Sequence, residues 1–141
     1  MLIIFCGDYL NKLRGLLVEP DKLPVEIEFE DSLKSMQRLV EGLICQESPI
    51  DDDSVVFILN DESKINGMFP NRDIGYDIIF GPFIIVGNDY ENECFRSLTN
   101  QEIEKYKKIF NDDSILATKL KVVKMFLEVI SRNKAREKER E

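Results

Sequence analysis

Three apolar runs, residues 55–59, 77–80 and 83–86, crowd into the stretch VVFILNDESKINGMFPNRDIGYDIIFGPFIIVG, parted by a polar turn, a Pro-Asn-Arg corner and glycines. Runs of Val, Ile and Phe bounded by Asn, Asp, Gly and Pro predict strands joined by turns. This stretch is therefore the expected centre of a sheet, and the rest of the chain its cover. Upstream, residues 2–6 predict a first strand, residues 8–12 an irregular or short helical link, and residues 13–19 a second strand turned by Pro20, Asp21 and Lys22. Residues 25–30, VEIEFE, alternate apolar and acidic positions. That pattern predicts a strand with one face on a core and the other in water.

Asp31 or Ser32 can cap the helix that follows, because a side-chain oxygen satisfies an amide of the first turn. Leu33, Met36, Val40 and Leu43 fall on one stripe of it. Gly42 is expected to end it, since glycine takes the left-handed conformation without penalty. Residues 43–46 return as a strand, and Ser48-Pro49 with Asp51, Asp52 and Asp53 make a loop. Residues 60–63 read as a hairpin turn, with 64–69 coming back as its second strand. Pro70-Asn71 turns again, and residues 77–80 enter the same sheet until Gly81-Pro82 interrupts it. Residues 88–93 form a solvated loop. Thr99 and Glu102 then make a capping box, with Leu98 and Ile103 placed for a hydrophobic staple. Ile103, Tyr106 and Phe110 line one face of that helix. Residues 111–114 break it and cap a final helix from Ile115 to about Asn133, followed by a charged, fraying tail. The sum is an α+β fold: a mixed, mainly antiparallel sheet of about five to seven strands, one short inserted helix and two C-terminal helices. We expect a single domain over 1–141, with the sheet and inserted helix in 1–96 and a helical pair in 97–138.

The final helix carries more apolar surface than one sheet can cover. Leu116, Leu120, Val123, Leu127 and Ile130 fall at alternating spacings of four and three, and Ile115, Val122, Phe126 and Val129 form a second row beside them. Together the rows span about half the helix, whereas a helix lying on a sheet needs a stripe little more than ~100° wide. The reading is a homo-oligomer, most simply a dimer, with Leu116, Leu120, Val123, Phe126, Leu127 and Ile130 in its seam.

Composition narrows the function. With 43% apolar and 33% charged residues in 141, the chain is globular. No apolar run approaches the ~20 residues that cross a bilayer, and the opening LIIFC lacks a basic flank, so no membrane contact is expected. The net charge of −8 argues against direct nucleic-acid binding, where Lys and Arg must neutralise phosphates. Cys6, Cys45 and Cys94 are widely spaced, form no CxxC and have no histidine to work with. They read as reduced, mostly buried thiols of a cytoplasmic protein, with neither a metal nor a cofactor.

Catalysis finds no foothold either. Asp51, Asp52 and Asp53 fail as an EF-hand, because Val56 stands where the loop needs glycine; they read as a solvated loop. Gly75, Gly81 and Gly87 punctuate strands and match no phosphate-binding pattern. The polar cluster of most interest is Asn66-Gly67, Asn71-Arg72 and Asp77. A guanidinium at the Pro-Asn corner can hold a phosphate or carboxylate bidentately, with Asn66, Asn71 and the Gly67 amide reading the rest of the ligand. Alternatively Arg72 pairs with Asp73 or Asp77 and the asparagines make turns.

The same residues carry a resemblance. Val18-Glu19-Pro20, Leu39-Val40-Glu41-Gly42, Asn60-Asp61-Glu62 with Asn66-Gly67, Pro70-Asn71-Arg72, the DIIFGPFIIVG run, and Ser97-Leu98-Thr99 leading to Lys105-Tyr106 and Phe110 resemble an uncharacterised family of small proteins. Its members are carried by phages, plasmids and conjugative elements of Gram-positive bacteria. The chain departs from that pattern in an extra amino-terminal segment through about Lys12, in Glu41 where a second glycine is usual, and in the helix beyond Phe110. The resemblance implies no activity, only a setting: a mobile-element accessory protein in the host cytoplasm. The expected function is therefore non-enzymatic counter-defence, a homo-oligomer that sequesters a small anionic, nucleotide-like ligand at Arg72, Asn71 and Asn66. The alternative is an acidic inhibitor of a host nucleic-acid-acting defence enzyme, using residues 51–53, Glu26, Glu28 and Glu30 to imitate phosphates.

Overall fold

The computed structural model describes residues 11–140; the expected first strand at 2–6 and Cys6 lie outside them. The order of elements is β1 (Lys12–Val18), β2 (Val25–Glu30), α1 (Leu33–Val40), β3 (Ile44–Glu47), β4 (Val55–Asn60), β5 (Pro70–Asp73), β6 (Ile78–Phe80), β7 (Phe83–Asp89), β8 (Cys94–Arg96), α2 (Asn100–Ile109) and α3 (Asp112–Arg140). Among the described residues this is an α+β architecture with a six-stranded antiparallel sheet, a second sheet of two strands and three helices. The large sheet runs β2-β1-β7-β4-β3, and β8 pairs with β7. Gly87 faces both Val55 and Arg96, so β8 lies on the β1 side of β7, beyond the end of β1.

The continuous apolar runs at β4 and β7 follow from burial on both faces, which removes the polar alternation of a half-wet strand. Leu16, Val18, Val55, Phe57, Phe83 and Ile85 point to the α2 side, where Ile103, Tyr106 and Phe110 meet them. Phe57, Phe83 and Phe110 stand edge to face there, with ring centroids 5.5–5.8 Å apart. On the other face Leu13, Phe29, Val56, Ile58, Ile84 and Val86 pack on Met36 and Val40 of α1. One sheet is thus covered twice, by α1 on one side and by α2 with the small sheet on the other.

Several local expectations are corrected. Residues 64–69 form no strand: both edges of β4 are taken by β3 and β7. The chain at 61–67 winds into turns instead, with the Asn66 amide donating to the Glu62 carbonyl and that of Met68 to Ser63. Pro70 opens a strand where a turn was expected, at the head of a two-stranded ribbon that needs no ladder donor from it. Residues 78–80 pair with that strand and stay out of the main sheet. Glu41, not Gly42, takes the left-handed conformation that ends α1, at φ 64°. Gly42 serves space instead, since a Cβ there would sit 2.8 Å from the Asn60 amide nitrogen. At the start of α2 the capping box is complete, Thr99 and Glu102 each bonding the other's amide. The last helix is longer than expected, 29 residues from Asp112, with Asn111 Oδ1 accepting from the Ser114 amide. Among the described residues no helix is both long and apolar enough to cross a membrane.

Candidate functional site

Arg72 is fully buried. Its Nη1 donates to the Asn71 side-chain oxygen at 2.8 Å and main-chain oxygen at 3.2 Å, and its Nη2 to the carbonyls of Lys22 at 2.6 Å and Phe110 at 3.2 Å. Asn71 Nδ2 in turn donates to the carbonyls of Val18 and Gly81, both at 2.8 Å. The pair therefore ties β5 to the end of β1, the turn after it, the link into β7 and the end of α2. Burial lowers the guanidinium pKa, and the charges of Asp21 and Asp112 offset part of that. Neither Asp73 nor Asp77 reaches it: Asp73 binds Lys121 at 2.9 Å and Asp77 binds Lys64 at 2.7 Å. Carbonyl oxygens, invisible in a sequence, take the place of both expected partners.

Asn66 and Gly67 stand exposed on the turn after β4, with Gly67 at φ 70°. Asp77 lines a cleft of about 360 Å³, whose lining takes in neither Asn66 and Gly67 nor Asn71 and Arg72. The structure thus separates the predicted cluster into a buried clamp, an exposed turn and one carboxylate in the cleft. Charged side chains of the cleft are Glu47, Asp61, Glu62 and Asp77 against Lys64. Two neutral groups beside these carboxylates are shifted, chiefly by burial. The Cys45 thiol is pushed up to about 11 by burial and then by Asp61. The Tyr76 hydroxyl, bonded to Glu47, is pushed up to about 12 by burial and then by Glu47.

The other carboxylates singled out in the sequence are partly neutralised. On β2, Glu30 lies across from Lys12 and Glu28 from Arg14, while Glu26 bonds Arg14 directly. Of the three consecutive aspartates, Asp51 and Asp53 are exposed, but Asp52 is built in. It accepts from Lys105 Nζ at 2.8 Å, from the Ser54 amide and hydroxyl, and from the Tyr106 hydroxyl. Burial works to raise its pKa, yet these bonds together hold it well below the usual carboxylate range. Next to it Glu102 accepts both terminal nitrogens of Arg96, at 2.8 and 2.9 Å. Sequence reasoning missed Arg96 and placed Asp52 in a solvated loop, whereas the fold builds it into this network. A capping Glu with an Arg six residues upstream was the one signal for Arg96.

α3 touches the body through one side. Thr118 Oγ1 accepts from the Asp73 amide at 3.0 Å, Lys121 pairs with Asp73 and Lys119 with Asp21. Leu116, Leu120, Val123, Phe126 and Leu127 are between 55% and 66% exposed, and Ile130 is exposed as well. A mostly apolar groove of about 470 Å³ runs along α3 between Lys119, Val122 and Val123 and the segment Phe69–Asn71.

A family model described as a domain of unknown function, DUF3846, matches residues 13–111. No curated protein and no solved structure matches the chain.

Proposed function

We propose, from the premise that the chain belongs to the family of the domain of unknown function DUF3846, that it is a non-enzymatic binding protein whose cleft receives cationic side chains of another protein. One observation carries this reading. The open cleft beside β4 and β6 presents four carboxylates to a single lysine, while the guanidinium that could have gripped an anion is closed off by four oxygen contacts. A site of that sign attracts ammonium and guanidinium groups and repels phosphates. Enzymes that act on nucleic acids present Lys and Arg to the phosphate backbone. An acidic cleft competes for those same groups, which suits an accessory protein of a mobile element directed at a host defence enzyme. The β2 carboxylates contribute less to this role than Glu47, Asp61 and Glu62, because Lys12 and Arg14 lie across from them.

Capture of a small nucleotide-like anion is the second reading, and one observation favours it. Among the described residues Arg72 Nε has no hydrogen-bond partner, and no carboxylate forms an ion pair with the guanidinium. One experiment separates the two. The purified protein is tested for retention and inhibition of a basic nucleic-acid-acting enzyme from a Gram-positive lysate, as wild type and as the triple variant Glu47→Gln, Asp61→Asn, Glu62→Gln. Inhibition that high salt and the triple variant both abolish is the expected result. A nucleotide retained in one-to-one ratio in native mass spectra, with no inhibition, would replace the first reading by the second.

A further inference from the structure

We infer that α3 is the seam of a two-fold antiparallel dimer in which Phe126 of each copy fills the groove beside α3 of the other. At about 100° per residue, Leu116, Leu120, Val123, Leu127 and Ile130 lie within an arc of about 80°, and Thr118, the buried residue of the helix, lies nearly opposite. The apolar row therefore points away from the chain's own body. Both shape and charge select a second copy in antiparallel orientation.

Shape comes first. Val123 is the midpoint of the row and also lines the groove. With the two-fold axis at Val123, antiparallel packing sets Phe126 of one helix across from Lys119 and Leu120 of the other, on the flank where the groove opens. Phe126 is 66% exposed, and the groove of about 470 Å³ accommodates a phenyl ring. Parallel packing turns Phe126 toward Lys124 and Ser131 of its partner and leaves both grooves empty. In extent, a helix of 29 residues is about 44 Å long. With the axis at Val123 the two helices overlap from Asp112 to Lys134, and covering half the surface of that length hides about 550 Å² a side. Contact of the remaining turns with the partner's body adds toward the ~800 Å² of a standard stable interface.

Charge agrees. Residues 119–141 hold eight of the 19 basic side chains and four of the 27 acidic ones. That segment is thus +4 and the remainder of the chain −12. Antiparallel packing lays the basic half of each helix toward the acidic body of the other copy, and sets Lys134 near Asp112 and Asp113. Parallel packing stacks body on body and tail on tail, like against like.

Sedimentation equilibrium of the full chain at micromolar concentration tests the inference. The expected mass is about twice the 16.4 kDa of the chain, falling to one chain in Leu120→Glu/Leu127→Glu. Phe126→Ala is expected to weaken association at least tenfold. All three residues are exposed, so the helix signal in circular dichroism of the dilute variants serves as the folding control. Orientation is read by oxidative cross-linking of mixed single variants. Leu116→Cys is expected to join Ile130→Cys and not itself. A wild-type mass of one chain, a dimer indifferent to Leu120→Glu/Leu127→Glu, or a cross-link between two copies of Leu116→Cys would each overturn it.

Discussion

Glu41 ends α1 at φ 64°, in the left-handed region where a Cβ crowds the following carbonyl. The strain is local and has a simple remedy. Glu41→Gly is expected to raise stability by about 1 kcal/mol, seen as a higher urea midpoint with an unchanged slope. Arg72 is the opposite case, a residue whose every change is harmful. Lysine has no planar fork to reach Asn71, Lys22 and Phe110 together. Arg72→Lys is therefore expected to lose about 2 kcal/mol or more, and Arg72→Ala more again. The same urea titration checks both; a variant as stable as wild type would show that the clamp is dispensable. The sequence marked Arg72 as unusual by its place after a Pro-Asn corner. It could not say that the partners would be backbone oxygens from β1, its following turn and α2, because every residue type offers the same carbonyl.

The elements were legible wherever one local rule acted alone. The Thr99–Glu102 box, the Ile103–Tyr106–Phe110 face and the VEIEFE strand are all contained within a few residues, and all form, although Val25 at the start of that strand stays exposed. Residues 64–69 failed because strand pairing depends on who already occupies the neighbour's edge. A hairpin from β4 was locally reasonable, but β3 and β7 fill both its flanks. Asp52 belongs to this scale too, since it joins the loop before β4 to α2 through Lys105 and Tyr106. Its pKa is depressed in the folded state. Its contribution is therefore full above the unfolded value near pH 4 and is lost as pH falls below it. Asp52→Asn is expected to cost about 1–2 kcal/mol at neutral pH. That deficit should shrink as the urea midpoints of the two proteins are compared from about pH 7 down to about pH 3. A constant deficit would mean that the carboxylate charge contributes nothing.

The whole molecule divides into an acidic body and a basic helix that leaves it. From Val123 to Arg140 every residue of α3 is exposed, so this length adds little to the packing of its own chain, Val123 and Met125 lining clefts against it. A chain ending at Lys124 keeps Thr118, Lys119 and Lys121 and with them the contacts to β5 and Asp21. At high dilution it is expected to unfold within about 0.5 kcal/mol of the full chain. The melting temperature of the full chain should rise with protein concentration and that of the shortened chain should not, because association stabilises only the form that associates. Calorimetry over a range of concentrations reads both outcomes at once.

What the sequence determined by itself is everything set by nearest neighbours and by amount: the strands at β1, β2, β4 and β7, the N-terminal caps of α1 and α2, and the surplus of apolar surface on α3. Tertiary structure alone decided which strands share a sheet, which charges lie in the open cleft and which are spent, and which side of α3 the body takes. The physical reason is range. Propensity, periodicity and capping act between residues a few positions apart, whereas a buried guanidinium and a cleft's sign depend on groups that only the folded chain brings together. Lys22, Arg72 and Phe110 are distant in the chain and within hydrogen-bond reach in space.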